Sequence, residues 1–170
     1  DLSAPPRTAY VGEQSVSHVE WANNERLLIW ITFTKDEKGQ PYGLWFYDTF
    51  VPIPVKRVVS VNLEGQDPVV MFAGSRSVLR RGFDASRVVD YLQDDPRRVL
   101  MQAWNDSRGA YGLYQVDVYT GQAELVEQGV AATDFWLTQG GVPMLRWDSN
   151  ARGTVGWVYG RARSEEHTSE

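Results

Sequence analysis

The chain has 170 residues, with 17 Lys and Arg against 22 Asp and Glu, a formal charge of −5 and no cysteine. So mild an acidic balance offers no basic stripe for nucleic acid, and without Cys there is neither a disulfide framework nor a thiolate metal site. No run of about 18 apolar residues occurs, so no membrane-spanning helix is expected, while 21 aromatics, seven of them Trp, call for burial between layers or presentation at a surface.

The length suits one domain with a real core. Residues 1–15, opening Asp1-Leu2-Ser3-Ala4-Pro5-Pro6, read as an irregular segment and not as a signal peptide. From Val16 the chain breaks into short runs rich in Val, Ile, Trp and Tyr, bounded by Gly, Asp, Asn and Pro, which is the pattern of strands. A first unit spans 16–74 and holds an insertion, Lys35 to Val55, between its second and third strands. Inside the insertion, Tyr42, Trp45, Phe46 and Tyr47 form an aromatic loop able to line a ligand cleft or dock another domain. The plainer reading is an extra hairpin packed on its own sheet. Val51-Pro52-Ile53-Pro54 is expected to run extended and unpaired, because neither Pro can donate to a ladder. A hairpin follows, Arg57 to Leu63 and Pro68 to Phe72, around Glu64-Gly65-Gln66. Arg76, Arg80, Arg81 and Arg87, around Gly82, read as a solvated loop.

A second unit, 87–129, and a third, 133–159, repeat one another. Val99, Met101 and Trp104 recur as Val142, Met144 and Trp147 at an offset of 43. Asp90-Tyr91-Leu92 aligns with Asp134-Phe135-Trp136, and Tyr111-Gly112 with Val155-Gly156, both at 44. In Asp117-Val118-Tyr119-Thr120-Gly121 the Asp can cap its own turn and the Gly supply positive φ, returning the chain as Ala123 to Glu127. Val61-Asn62-Leu63-Glu64-Gly65 is the same turn one residue shorter. Antiparallel strands in fours, at about 43 residues per unit, match the period of a β-propeller blade. The expected fold is therefore all-β, a partial propeller of about three four-stranded antiparallel blades with the last incomplete; a β-sandwich is the alternative. Residues 163–170, Arg-Ser-Glu-Glu-His-Thr-Ser-Glu, resemble a translated sequencing adapter, which would make this chain a piece of a longer protein.

The chain offers little catalytic chemistry of its own. Gly74-Ser75-Arg76-Ser77 lacks the spacing of a nucleophile elbow, and His18 is the only histidine outside the last eight residues. No Ser-His-Asp or Cys-His set and no His-based zinc site can be assembled. Asp94-Asp95 suit a turn before Pro96, Asp84, Asp90, Asp117 and Asp134 fall at strand edges, and Glu124 and Glu127 belong to an outer strand. No catalytic, cofactor or metal residue is expected.

The strings Ser86 to Met101, with Asp-Asp-Pro-Arg-Arg-Val-Leu at 94–100, and Leu113 to Gly121 resemble the propeller of bacterial prolyl-oligopeptidase-family serine peptidases, a group that includes dipeptidyl and acylaminoacyl peptidases. The opening Val19 to Trp30 is similar to a first blade in such proteins. The resemblance implies a propeller that gates peptide access to a C-terminal α/β-hydrolase domain, which carries the Ser, Asp and His. None of those residues has a counterpart in this chain. The hydrolase domain and peptide substrates are the implied partners, and the compartment is left open between periplasmic or secreted and cytoplasmic. The alternative is a TolB-like propeller that binds proteins and has no hydrolase domain. A propeller binding sugars or lactones is a weaker third reading, because no carboxylate and histidine cluster accompanies it.

Overall fold

The structure, a computed structural model, describes Thr8, residues 13–80 and residues 82–160. The adapter-like segment 163–170 and Arg81 lie outside the described residues, as does most of the N-terminal segment. The protein is mostly β, built from several small sheets.

The first sheet is a meander of β1 (Ser15–Trp21), β2 (Arg26–Phe33), β5 (Val55–Asn62) and β6 (Val69–Val70). Between β2 and β5 the chain leaves to form a separate two-stranded sheet, β3 (Gly43–Phe46) with β4 (Thr49–Pro52). After β6 come one helical turn, α1 (Arg76–Leu79), and β7 (Asp84–Ala85), which adds to β5 in the parallel sense. The second sheet is β8 (Arg87–Asp90), β9 (Arg98–Asn105), β10 (Ala110–Asp117) and β11 (Ala123–Gln128), each antiparallel to the next. The third is β12 (Thr133–Gln139), β13 (Val142–Ser149) and β14 (Gly156–Gly160), in the same order.

Period-2 alternation sends the apolar residues of each middle strand to opposite faces. In β9, Val99, Met101 and Ala103 face the first sheet, where they pack with Leu28, Val58, Met71 and Phe72. Leu100 faces the third sheet and packs with Leu92, Leu113 and Trp136. The core therefore lies in two layers between three sheets, with a further cluster of Ile29, Ile31, Val59 and Val61 on the other face of the first sheet, and the second sheet is buried on both faces. That explains why Val99, Leu100 and Met101 of β9 are apolar in succession and not in alternation.

The expected turns form as their chemistry requires. Asp117 Oδ1 accepts from the Tyr119 and Thr120 N–H groups, and Gly121 takes φ +70°. A side chain at Gly121 would also strike the Val70 carbonyl, so this glycine is needed for close approach to the first sheet as well. Asn62 Oδ1 does the work of Asp117 in the shorter copy, accepting from Glu64 and Gln66 N–H.

Three expectations need correction. Val51 and Pro52 are paired, opposite Leu44 and Gly43, and Ile53 N–H donates to the Tyr42 carbonyl. Proline is tolerated because β4 has a free edge that needs no donor there. The Arg76–Arg87 stretch is only partly a loop, since Arg76 opens α1 and Arg87 starts β8. The alignment of the repeat holds in the middle strand and slips on either side of it. Trp104 opposes Tyr111, whereas Trp147 opposes Val158, so Tyr111 answers Val158 and not Val155. Likewise Asp90 opposes Leu100 while Thr138 opposes Pro143, so Asp90 answers Thr138 and not Asp134. Turn lengths cause both slips: 91–97 is replaced by Gly140-Gly141, and 106–109 by 150–155.

Candidate functional site

The four aromatic residues singled out in the insertion do not form one cluster. Tyr42 sits at the root of the hairpin, half-buried and edge-on to Phe33 at 5.6 Å. Trp45, Phe46 and Tyr47 lie at the tip, with Trp45 70 % exposed and Tyr47 fully so. Trp45 is tilted against Phe50 across the ladder at 5.4 Å, and Tyr47 takes φ +52° to close the turn. A side chain at Gly43 would collide with the Val51 carbonyl, so this glycine lets the two strands approach at the root.

Cross-strand partners share a face. Trp45, Phe50 and Pro52 line one face of the hairpin, and Leu44, Val51 and Phe46 line the other. A hairpin resting on its own sheet would keep one apolar and one polar face. This one is largely apolar on both faces, with Thr49 opposite Phe46 as a polar residue and Asp48 as its only charge. An isolated two-stranded hairpin is marginal in water, and this one leaves Leu44, Trp45, Phe46 and Val51 exposed.

At the opposite end of the sheets, the turn 91–97 separates two clefts. One, of about 440 Å³, is lined by Asn23, Glu25, Tyr91, Pro96 and Tyr119 among others. The other, of about 520 Å³, includes Asp90, Leu92, Asp94, Arg98 and Val142. In the first, the Tyr119 hydroxyl donates to Glu25 (2.8 Å) and its ring lies between Arg26 and Arg97, at 5.5 and 5.4 Å. Burial and then the Glu25 carboxylate push the Tyr119 phenol up. Burial, with Glu20 as the second cause, does the same to Tyr91.

Asp90 borders the second cleft and ties two sheets together. Its carboxylate accepts from Leu92 N–H (2.9 Å), the Thr138 hydroxyl (2.9 Å) and Gly141 N–H (3.0 Å). Burial alone would raise its pKa, but these bonds outweigh burial and hold it below the usual carboxylate value. Asp117 is lowered in the same way: burial raises it, and the turn N–H groups with Arg97 overcome the rise. Asp94 is exposed, and Asp95 is spent on Arg98.

His18 packs edge-on against Trp30 and lies 3.5 Å from Glu20 on an exposed strand. Among the described residues no group of three or more His, Cys, Asp or Glu is placed to hold a metal. No helix of the described residues is long and apolar enough to cross a membrane, which does not bear on β-barrels.

Two buried cations escaped the sequence reading. Arg57, 6 % exposed, donates to the carbonyls of Lys56, Leu79, Gly82 and Phe83, tying β5 to the end of α1. Burial lowers its pKa, with Asp84 acting in the opposite sense. Arg26, 4 % exposed, binds Ser60 and the Asp67 carbonyl. Comparison with protein-family models, with curated proteins and with solved structures finds no match.

Proposed function

We propose that the three stacked sheets are blades of a β-propeller, and that the chain is the part of a serine peptidase that gates peptide access to a hydrolase domain. The observation carrying the propeller is the repetition of sheet order: successive antiparallel meanders stacked face to face, with a middle strand of the second sheet recurring 43 residues on in the third. A sandwich has two inner faces, whereas here the second sheet is buried on both sides. The peptidase part rests on the resemblance of Ser86–Met101 and Leu113–Gly121, and the capped Asp117 turn is consistent with those strings. On this reading the chain gates and does not catalyse. Its two-faced aromatic hairpin is the element among the described residues best suited to a partner or a peptide.

Sequencing the source gene across the codon for Arg163 tests the proposal. A frame that runs on through further four-stranded units into Gly-x-Ser-x-Gly, then Asp and His, supports it. A frame that ends after further units without those residues would leave a binding propeller of the TolB-like kind and overturn the peptidase reading.

A further inference from the structure

The two ends of the sheets differ in charge and shape, and the difference is complementary. At the hairpin end of the sheets, the links expose Arg76, Arg80, Arg108 and Arg152, with Asp106 as an acidic residue among them and Lys56 paired with Asp84 close by in sequence. Lys35 and Lys38 in the insertion are offset by Asp36 and Glu37. At the other end the turns expose Glu25, which accepts from the Tyr119 hydroxyl, with Asp67 and Asp94, while the cations Arg97 and Arg98 are each tied to a carboxylate, Asp117 and Asp95. One end is thus an apolar prong within a basic rim. The other is a pair of clefts, about 440 and 520 Å³, within an acidic rim.

We propose that the hairpin end of one chain docks on the acidic end of a second copy, with the aromatic tip seated in the clefts beside the 91–97 turn. A prong apolar on both faces fits a cleft better than a flat surface, because a flat surface would leave one face wet. Tyr91, Pro96 and Tyr119 supply apolar and aromatic walls in the smaller cleft, the larger being lined mostly by polar residues, and the clefts have the size of sites that take a few side chains. The basic rim then faces Glu25 and Asp94, which favours this orientation and speeds encounter. Such a contact is heterologous: each chain keeps one prong and one cleft free, so association propagates beyond the dimer. The proposal goes beyond the peptidase reading and does not depend on it.

Sedimentation velocity of the full chain over a concentration series provides the test. The expected result is growth from monomer to dimer and longer chains, weakened when salt is raised from about 0.02 M to about 0.5 M, where the Debye length becomes short. Two exposed-residue variants, Trp45→Ser/Tyr47→Ser on the prong and Glu25→Arg/Asp94→Arg on the cleft rim, should each weaken association at least about tenfold. Mixed together they should form a 1:1 dimer and nothing longer, because each retains one intact end. A strictly monomeric parent chain, association that survives in both variants, or a mixture that stays monomeric would overturn the proposal.

Discussion

The two inter-sheet layers are held by different physics. Between the first and second sheets lies a broad apolar layer, in which Leu28, Val58, Phe72, Val99, Met101 and Val116 have no more than 1 % of their surface exposed. Between the second and third the buried apolar set is only Leu92, Leu100, Leu113 and Trp136. Polar links supply the rest: Gln102 Nε2 to the Asp134 carbonyl, Trp136 Nε1 to Glu127, and Asp90 to Thr138 and Gly141. Arg87 also lies over the Phe135 ring at 5.4 Å. Apolar burial does not titrate, whereas an interface tied by carboxylates does. The third sheet should therefore be the first to loosen, and acid should be the condition that loosens it.

The largest effect is expected in the apolar layer. Phe72→Ala removes a fully buried ring that packs edge-on to Tyr114 and should cost about 3–5 kcal/mol, unfolding the first two sheets together in a denaturant titration. Next is Asp90→Ala, which leaves the Leu92 and Gly141 N–H groups and the Thr138 hydroxyl without their acceptor. A loss of about 1–3 kcal/mol is expected, read in the amides of β12–β14 before those of β9 and β10. Because the folded pKa of Asp90 is depressed, its contribution is complete above the unfolded value of about 3.9. It is lost as pH falls from there through the folded pKa. Wild-type protein should thus lose third-sheet protection below about pH 4, and Asp90→Ala should flatten that dependence.

Gly121→Ala should cost about 1 kcal/mol or more, from positive φ together with the clash against the first sheet, and thermal melts would show it. The smallest effect belongs to the prong. Trp45→Ser should change stability by about 0.5 kcal/mol or less, because its ring is mostly in water in the isolated chain. A large loss of stability there would mean that the hairpin belongs to the core.

The turns were legible because their chemistry is local. Asn62, Asp117 and Gly121 act on residues two to four positions away, and the sequence alone places those partners. The middle strands were legible for a related reason: Met101 and Trp104 recur as Met144 and Trp147 at one offset, although β9 is almost wholly buried and β13 only partly so. Registers on either side were not, since turn length decides them and 150–155 is longer than 106–109. The buried cations were hidden for a third reason. Arg57 sits in the Val-rich strand β5, and its carbonyl partners Leu79, Gly82 and Phe83 come from a segment more than 20 residues away that the strand pattern does not announce. The aromatic hairpin could be read as a hairpin, but its two apolar faces appear only once Trp45 is paired with Phe50 and Leu44 with Val51.

Native-state hydrogen exchange at neutral and acid pH tests the contrast between the layers most directly. The account predicts that amides of β12–β14 exchange through a lower-energy opening than those of β9 and β10 at pH 7, and that the gap widens as Asp90 is protonated. Equal protection across all three sheets, or a gap that does not respond to pH, would contradict it.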